Sequence, residues 1–365
     1  PGTWRLLDMV DTPQIVHCFN LHGDYFDLRA LSSISAKAPT IVDLRDAWLL
    51  SGHCAHSFDC DRWKIGCGDC PDLTLYPAIG RDGTDFNWRR KRDIYAASRI
   101  YISTPSQWLM RKVEQSMLAP AIFDARVIPT GVDLTIYHHG DRSAARIALD
   151  LPQDAKILLF AANHVRRNVW KDYNTLEAAI ALLATRIEAR NIHLVALGEN
   201  SPDEKIGETQ VHFVPHQANP ETVARYYCAA DVYVHAARAD TFPRAVIEAL
   251  ACGTPVVATA VGGIPEQIKP LQGAGISGRS YSAQEATGIL VHAGDAEGMA
   301  SGIERILSND PLRHQLSRNA TADAVLRFDL RSQAKRYLEW YETILEKQLY
   351  QRQKTMPGCR FSDNQ

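Results

Sequence analysis

Asp240 and Glu248 are carboxylates eight residues apart in the stretch Ala239 to Ala258, which reads as turn, helix, turn and strand. Thr241 reads as the N-cap of that helix, Pro243 falls in its first turn, and Gly253 marks its end. Amides left free at a helix start form an anion site. Carboxylates on either side of it accept hydrogen bonds from sugar hydroxyls. A nucleotide-sugar, with a diphosphate between hydroxyl-rich rings, suits that combination.

A second group of candidates lies upstream. Asn163, His164, Val165, Arg166, Arg167, Asn168, Val169, Trp170, Lys171 and Asp172 follow a buried strand pattern. Loops at the carboxyl ends of parallel strands are where ligands sit. Arg166 or Arg167 together with Lys171 would set two cations there. A guanidinium forks onto phosphate oxygens, and an ammonium is a compact point charge. Alone, this loop reads as solvated charge; beside the Asp240–Glu248 helix the balance reverses.

The elements that must position these groups form two α/β alternations. In the first, Ile15–Phe19, Thr40–Leu44, Arg99–Thr104 and Arg126–Pro129 read as strands. Tyr25–Ser35 and Pro105–Ser116 read as helices, and residues 51–90 as irregular. In the second, the strands are Lys156–Ala162, His193–Leu197, Val211–Val214, Val232–His235 and Pro255–Thr259. From Ala296 to near Lys347 the pattern is helical. The expected domains are 1–137, with a Cys-rich insert at 51–72, and 138–328. A helix at 329–350 is expected to return to the first domain, before a flexible tail at 351–365.

The 365 residues carry a formal net charge of −2, which argues against a dedicated nucleic-acid binder. The densest apolar run, Ile157 to Ala162, is strand-sized, far from the roughly 18 residues of a spanning helix. No secretory leader pattern is present, so the cytoplasm is the expected compartment. The chain opens at Pro1 and its first domain is short for a doubly wound one; the N-terminus is therefore expected to be incomplete.

With these residues in view, positions 156–270 resemble the donor-binding domain of family 4 retaining glycosyltransferases, which have the two-Rossmann GT-B fold. The resemblance is carried by Asp240, Thr241, Phe242 and Pro243, by Glu248 and Ala249, and by Gly253-Thr254-Pro255-Val256-Val257. Gly262-Gly263-Ile264-Pro265-Glu266, Pro129-Thr130-Gly131-Val132-Asp133 and Ser103-Thr104-Pro105-Ser106 fit it too. It implies an α/β protein with two Rossmann-like domains of parallel sheet facing a cleft. It also implies a metal-independent hexosyltransferase acting on a UDP-sugar, with UDP-glucose preferred.

Roles follow from the resemblance. Glu248 would accept from the ribose hydroxyls and Asp240 would hold the donor sugar. Backbone amides from Phe242, Arg244 and Ala245 would meet the diphosphate. Lys171 and Arg166 would neutralise the leaving group, with Arg167 and Asn163 beside them. Val214, or Phe213 and Pro215, would meet the base. The chain departs from the family at Asp240, where Glu is usual, and at Pro243, which has no amide to donate. The usual Gly-rich loop after the first strand is not found.

On the acceptor side, Val42-Asp43-Leu44-Arg45-Asp46-Ala47-Trp48 resembles a strand end where many relatives carry His-Asp. Arg45 stands at the His position and is no base near neutral pH. It would stabilise the leaving group, and Asp46 would orient the acceptor; an ion network with Asp43 or Asp46 is the alternative. Asn20 and His22 follow the first strand and form a second candidate wall. The implied acceptor is a glycan or a lipid-linked acceptor in polysaccharide assembly. A related epimerase or a non-catalytic nucleotide-sugar-binding subunit are the competing readings.

Cys54, Cys60, Cys67 and Cys70 fall within seventeen residues. Cys67-x-x-Cys70 has zinc-knuckle spacing, and four thiolates close a tetrahedral site. Two disulfides or four thiols are the alternatives. Cys18, Cys228 and Cys252 read as core thiols, and Cys359 stands apart. Trp88-Arg89-Arg90-Lys91-Arg92 reads as a helix start with a solvated cationic face, or as a peripheral contact with anionic lipid.

Overall fold

A computed structural model describes residues 2–5, 13–22, 25–186, 191–276 and 278–355. Cys359 and the last ten residues of the expected tail lie outside these. Among the described residues, no helix is long and apolar enough to cross a membrane. The chain divides into two compact units.

The first unit holds residues up to 103, residues 113–128 and the C-terminal helix from Gln333. Its sheet has the order β1-β2-β3-β4: Val16–Phe19, Thr40–Asp43, Ile100–Thr104 and Ile122–Val127. Helix α1, Ala30–Lys37, starts five residues later than the pattern of Tyr25–Ser35 suggests. Asp27 turns the chain there, its carboxylate accepting from both the Arg29 amide and the Arg29 guanidinium. The segment expected to be irregular contains α2, Thr84–Ala96. Asp82 precedes it and accepts from the Thr84 amide and hydroxyl.

Helix α2 corrects the reading of the basic run. Thr84, Trp88, Lys91 and Tyr95 recur at helical spacing and are buried. Lys91 points inward, only 1% exposed, and donates to Trp48 O at 2.5 Å and Ser51 O at 2.9 Å. Of the remaining cations, Arg89 pairs with Asp85 and Arg92 with Asp93.

Helix α9, Leu330–Thr355, runs five residues into the expected tail. Gln351, Arg352, Gln353 and Lys354 are good helix formers, and the stop signals Pro357 and Gly358 come only afterwards. Its Tyr337, Trp340 and Ile344 pack with Ile41, Tyr101 and Ile128 of the first unit.

The second unit holds residues 104–112 and 129–332. Val132 and Tyr137 are buried in its core, and Val132 exchanges backbone bonds with Phe328 and Leu330. A side chain at Gly131 would meet Leu330 Cα at 2.5 Å, so this junction requires glycine. The seven-stranded sheet has the order β11-β10-β9-β5-β6-β8-β7. Its strands are β5 Lys156–Ala161, β6 Ile192–Leu197, β7 Glu204–Ile206, β8 Thr209–Val214, β9 Val232–His235, β10 Val256–Thr259 and β11 Gly288–Val291. The pairings are parallel except β7 with β8. One face packs on α4, Tyr173–Leu183, and α7, Ala296–Leu307. The other packs on α5, Pro220–Ala229, α6, Arg244–Ala251, and α8, Asp310–Arg327. Burial on both faces explains the continuous apolar runs of β5, β6, β9, β10 and β11.

Candidate functional site

Strand order in the second unit reverses at β5. From β5 the chain builds outward through β6, then returns to place β9 on the other side of β5. Loops leaving neighbouring strands at such a point diverge and open a crevice at the carboxyl edge of the sheet. The loops after β5 and β9 are those that carry Lys171 and Asp240.

The two loops are tied together. Arg238 N and Ala239 N donate to Trp170 O, Asp172 N donates to Ala236 O, and Lys171 bridges Ala237. Asn168 shapes the first loop: its Oδ1 accepts from Trp170 N and Lys171 N, and its Nδ2 donates to Asn163 O. Gly262 backs the second loop. Its φ is +56°, and a side chain there would lie 1.7 Å from Asp240 O.

Lys171 Nζ donates to Asp240 Oδ2 at 2.7 Å and to His235 Nε2 at 3.0 Å. His235 Nδ1 meets Tyr233 Oη at 2.9 Å. Because an ammonium only donates, Nε2 is the acceptor and Nδ1 carries the proton. Burial, reinforced by the Lys171 charge, pulls the His235 pKa down to about 4, so the ring is neutral. Burial works to raise the Asp240 carboxyl, but the Lys171 ammonium outweighs it and holds the group well below the usual carboxylate range. Sequence reasoning missed His235. The signal was available, since it ends β9 five residues before Asp240.

Glu248 lies inside α6, 8% exposed, and accepts from Tyr227 Oη at 3.2 Å. Exposed Arg244 reaches its other oxygen at 3.4 Å, the i,i+4 geometry. Burial raises the Glu248 pKa; Arg244 and Tyr227 oppose the shift. Helix α6 is capped by Pro243, not Thr241, and no side chain caps it. Thr241 stands outside the helix, its carbonyl accepting from Ser106 Oγ. Pro243 O accepts from Gln267 Nε2. The helix amides therefore begin at Arg244 and Ala245, and Phe242 is buried in the core.

Other expected donor-side residues are placed differently. The Arg166 guanidinium is engaged by Glu204 on β7, at 2.5 Å, and lies over the Phe213 ring. Arg167 and Asn163 are exposed. The Val214 carbonyl accepts from Gly198 N and Glu199 N. Phe213 N donates to Asp203. Glu266 has a structural place, its two oxygens accepting from Gln107 N and Trp108 N at the start of α3, Gln107–Glu114.

In the first unit, the structure joins two residues named separately in the sequence. His22 Nε2 meets Asp46 Oδ2 at 2.8 Å, with Trp48 and Tyr76 rings beside the imidazole. Arg45 pairs at 2.6 Å with buried Asp43, the ion-pair alternative. Asn20 has φ +45° and its carbonyl accepts from Tyr25 Oη. Cys54, Cys60, Cys67 and Cys70 form no disulfide. Among the described residues, no three or more His, Cys, Asp or Glu side chains stand ready-placed around a metal ion.

Comparisons with known proteins agree with this architecture. Sucrose-phosphate synthase from Thermosynechococcus elongatus superposes with TM-score 0.63 at 20% identity, covering 92% of this chain and 74% of its own. HepE of Anabaena in complex with UDP gives 0.63 at 18%, covering 94% and 81%. The expected α/β class with two Rossmann-like domains, the GT-B fold, is the fold shared with these structures. D-inositol 3-phosphate glycosyltransferase 1 of Catenulispora acidiphila is 35% identical over 59% of this chain and 51% of its own length. The corresponding protein of Mycolicibacterium gilvum is 34% identical over 68% and 51%. The chain thus spans about half the length of the curated relatives it matches. The model of the glycosyl transferases group 1 matches residues 141–323, half of the chain, and includes the whole Lys171–Asp240–Glu248 constellation. The chain belongs to the glycosyl transferases group 1 family.

Proposed function

We propose that the second unit binds a UDP-sugar at the β5/β9 switch point, and that the chain transfers the sugar with retention to a glycan or lipid-linked acceptor. The observation that carries this reading is the Lys171–Asp240 pair at the carboxyl edge, beside the uncapped start of α6. HepE, of the same fold, was solved with UDP and with UDP-glucose, which supports that donor.

In this reading Glu248 accepts from the ribose hydroxyls. Lys171 engages Asp240 Oδ2, and Oδ1 accepts from a hydroxyl of the donor sugar. Amides of Arg244 and Ala245 and the Lys171 ammonium face the diphosphate. Lys171 supplies the positive charge that a divalent ion provides in other glycosyltransferases. The bond from the anomeric carbon to the diphosphate oxygen breaks, and the acceptor oxygen bonds the same face of that carbon. The acceptor proton passes to the departing phosphate oxygen, so no strong protein base is needed. Arg166 joins the phosphates only by leaving Glu204. We place the reaction in the cytoplasm, at the inner membrane surface where lipid-linked acceptors are extended.

A second reading takes a phosphorylated polyol as acceptor, because the curated relatives are named D-inositol 3-phosphate glycosyltransferases. One experiment separates these from a non-catalytic binding subunit. The protein is incubated with UDP-glucose alone, with inositol phosphate, and with lipid-linked glycan, and UDP release and product anomer are followed by NMR. The proposal expects slow UDP release alone and an α-linked product with the glycan or lipid-linked acceptor. Tight binding without any turnover would favour the binding subunit, and product only with inositol phosphate the second reading.

A further inference from the structure

The first unit carries a polar pair between two aromatic rings that the donor chemistry does not use. His22 follows β1 and Asp46 follows β2, so both stand at the carboxyl edge of neighbouring parallel strands. His22 Nε2 lies 2.8 Å from Asp46 Oδ2. A carboxylate only accepts, so Nε2 carries a proton and donates. The other ring nitrogen, Nδ1, has no hydrogen-bond partner among the described residues. A sugar hydroxyl both donates and accepts, so it can meet Nδ1 in either charge state of the ring. The two side chains are 16% and 27% exposed, sheltered but reachable. Trp48 and Tyr76 flank the imidazole, with ring centroids 5.8 and 6.0 Å away, and Tyr76 is 52% exposed. A pyranose presents C–H groups on its faces and hydroxyls at its rim. An exposed aromatic ring covers the first, and a fixed polar pair takes the second.

These groups are fixed from behind. Lys91 donates to Trp48 O and Ser51 O, and Tyr95 Oη donates to Leu49 O, so α2 pins the turn that carries Asp46 and Trp48. Asp46 Oδ1 accepts from Trp48 N, which orients the carboxylate. Ala47 N donates to Ala55 O, and Ala55 N donates to Tyr76 O. The backbone of the Cys-rich segment thereby sets Tyr76 beside the turn. Groups already held in place lose little freedom on binding. Charge narrows the ligand further. The neighbouring cation, Arg45, is engaged by buried Asp43. A phosphate against His22 would face the Asp46 carboxylate, whereas an uncharged hydroxyl meets no such repulsion.

We propose that His22, Asp46, Trp48 and Tyr76 form a subsite for an uncharged pyranose of the acceptor. The Tyr76 ring takes the C–H face of that sugar and the His22–Asp46 pair takes its hydroxyls, with Trp48 closing the side of the imidazole. The subsite selects a glycan over a phosphorylated polyol. Its role toward the acceptor rests on the transfer reading above; its affinity for sugar does not.

The test is saturation-transfer NMR on the full chain without nucleotide, with methyl hexopyranosides, glucose 6-phosphate and inositol phosphate as probes. Wild type should bind at least one neutral pyranoside, and the phosphorylated probes more weakly. Tyr76→Ala and His22→Ala should each weaken that binding by about 3- to 10-fold, the loss of one ring or hydrogen-bond contact. Tyr76→Phe keeps the ring and should bind as wild type does. Asp46→Asn should narrow the preference for neutral over phosphorylated sugar, a change that a merely structural role would not produce. A free oligosaccharide and the same oligosaccharide on polyprenyl diphosphate distinguish the two sources of the sugar, and Tyr76→Ala should weaken both. Tyr76 is exposed, so its variants leave the core intact. Because no donor is present, a failure of UDP-sugar binding leaves this result readable. Absence of binding by any neutral pyranoside to wild type would overturn the proposal. So would phosphorylated probes bound more tightly than neutral ones, or Tyr76→Ala and His22→Ala proteins that bind sugar as wild type does.

Discussion

The Lys171 ammonium lies 2.7 Å from Asp240 Oδ2, although the residues are 69 positions apart and sit on loops leaving different strands. Both are mostly buried, 12% and 20% exposed, so the pair is neither a surface ion pair nor fully desolvated. In the proposed UDP-sugar reading, this pair divides between a phosphate and a sugar hydroxyl.

Lys171→Met should leave Asp240 and His235 without their donor. Stability should fall by roughly 1–3 kcal/mol, the cost of unsatisfied buried groups, and transfer should fall by about 10²-fold or more. With Asp240→Asn the losses should not add, because the two residues share one interaction. Urea unfolding of the single and double variants checks this; strict additivity would mean the pair is not coupled.

The same pair sets an acid dependence. Asp240 is depressed in the folded state, so its contribution is present above its unfolded pKa of about 3.9 and is lost as pH falls toward the folded value. The stability difference between wild type and Asp240→Asn should therefore be constant near neutrality and shrink below about pH 4. A difference that instead changes between about pH 6 and 8 would place another group in control. His235, neutral with a pKa near 4, should show no ring titration by NMR above about pH 5.5.

Glu248 shifts the opposite way. Its raised pKa means that the folded, empty protein keeps the proton above the ordinary glutamate value. An ionised carboxylate is the better acceptor for two ribose hydroxyls. UDP-glucose affinity should thus rise with pH through that shifted pKa and level off above it. Glu248→Gln should bind more weakly and lose the pH dependence. Isothermal titration across mildly acidic pH measures both.

Gly262→Ala tests the loop. A methyl group 1.7 Å from Asp240 O cannot be accommodated without moving that residue. Stability should drop by roughly 1–3 kcal/mol, and kcat should fall with it. Gly273→Ala has a similar φ of +67° but nothing within 4 Å. It should cost only the backbone strain, about 1–2 kcal/mol, with activity unchanged.

What could be read in advance follows the physics of each signal. Strands β5, β6, β9 and β10 are buried on both faces over most of their length, so their apolar runs stand out; β8 alternates buried and half-buried positions. Strand β7 has three residues and pairs antiparallel at the sheet edge, so it carries no such run. Asp240, Glu248 and Lys171 were legible because local turn and helix signals surround them. His235 was not, because a buried histidine at a strand end looks like core. The His22–Asp46 contact joins loops 24 residues apart, which no local pattern reports. Lys91 was read as surface because a basic run suggests solvent; only the Thr84, Trp88, Tyr95 periodicity reveals its inward face.

The central claim, that the second unit is a UDP-sugar site anchored by Glu248, is tested most directly by titrating UDP-glucose into wild type and Glu248→Ala at neutral pH. The account predicts measurable binding to wild type and a loss of roughly 5- to 150-fold in the variant, corresponding to 1–3 kcal/mol. Equal affinity in the two proteins, or no binding to wild type at millimolar ligand, would contradict it.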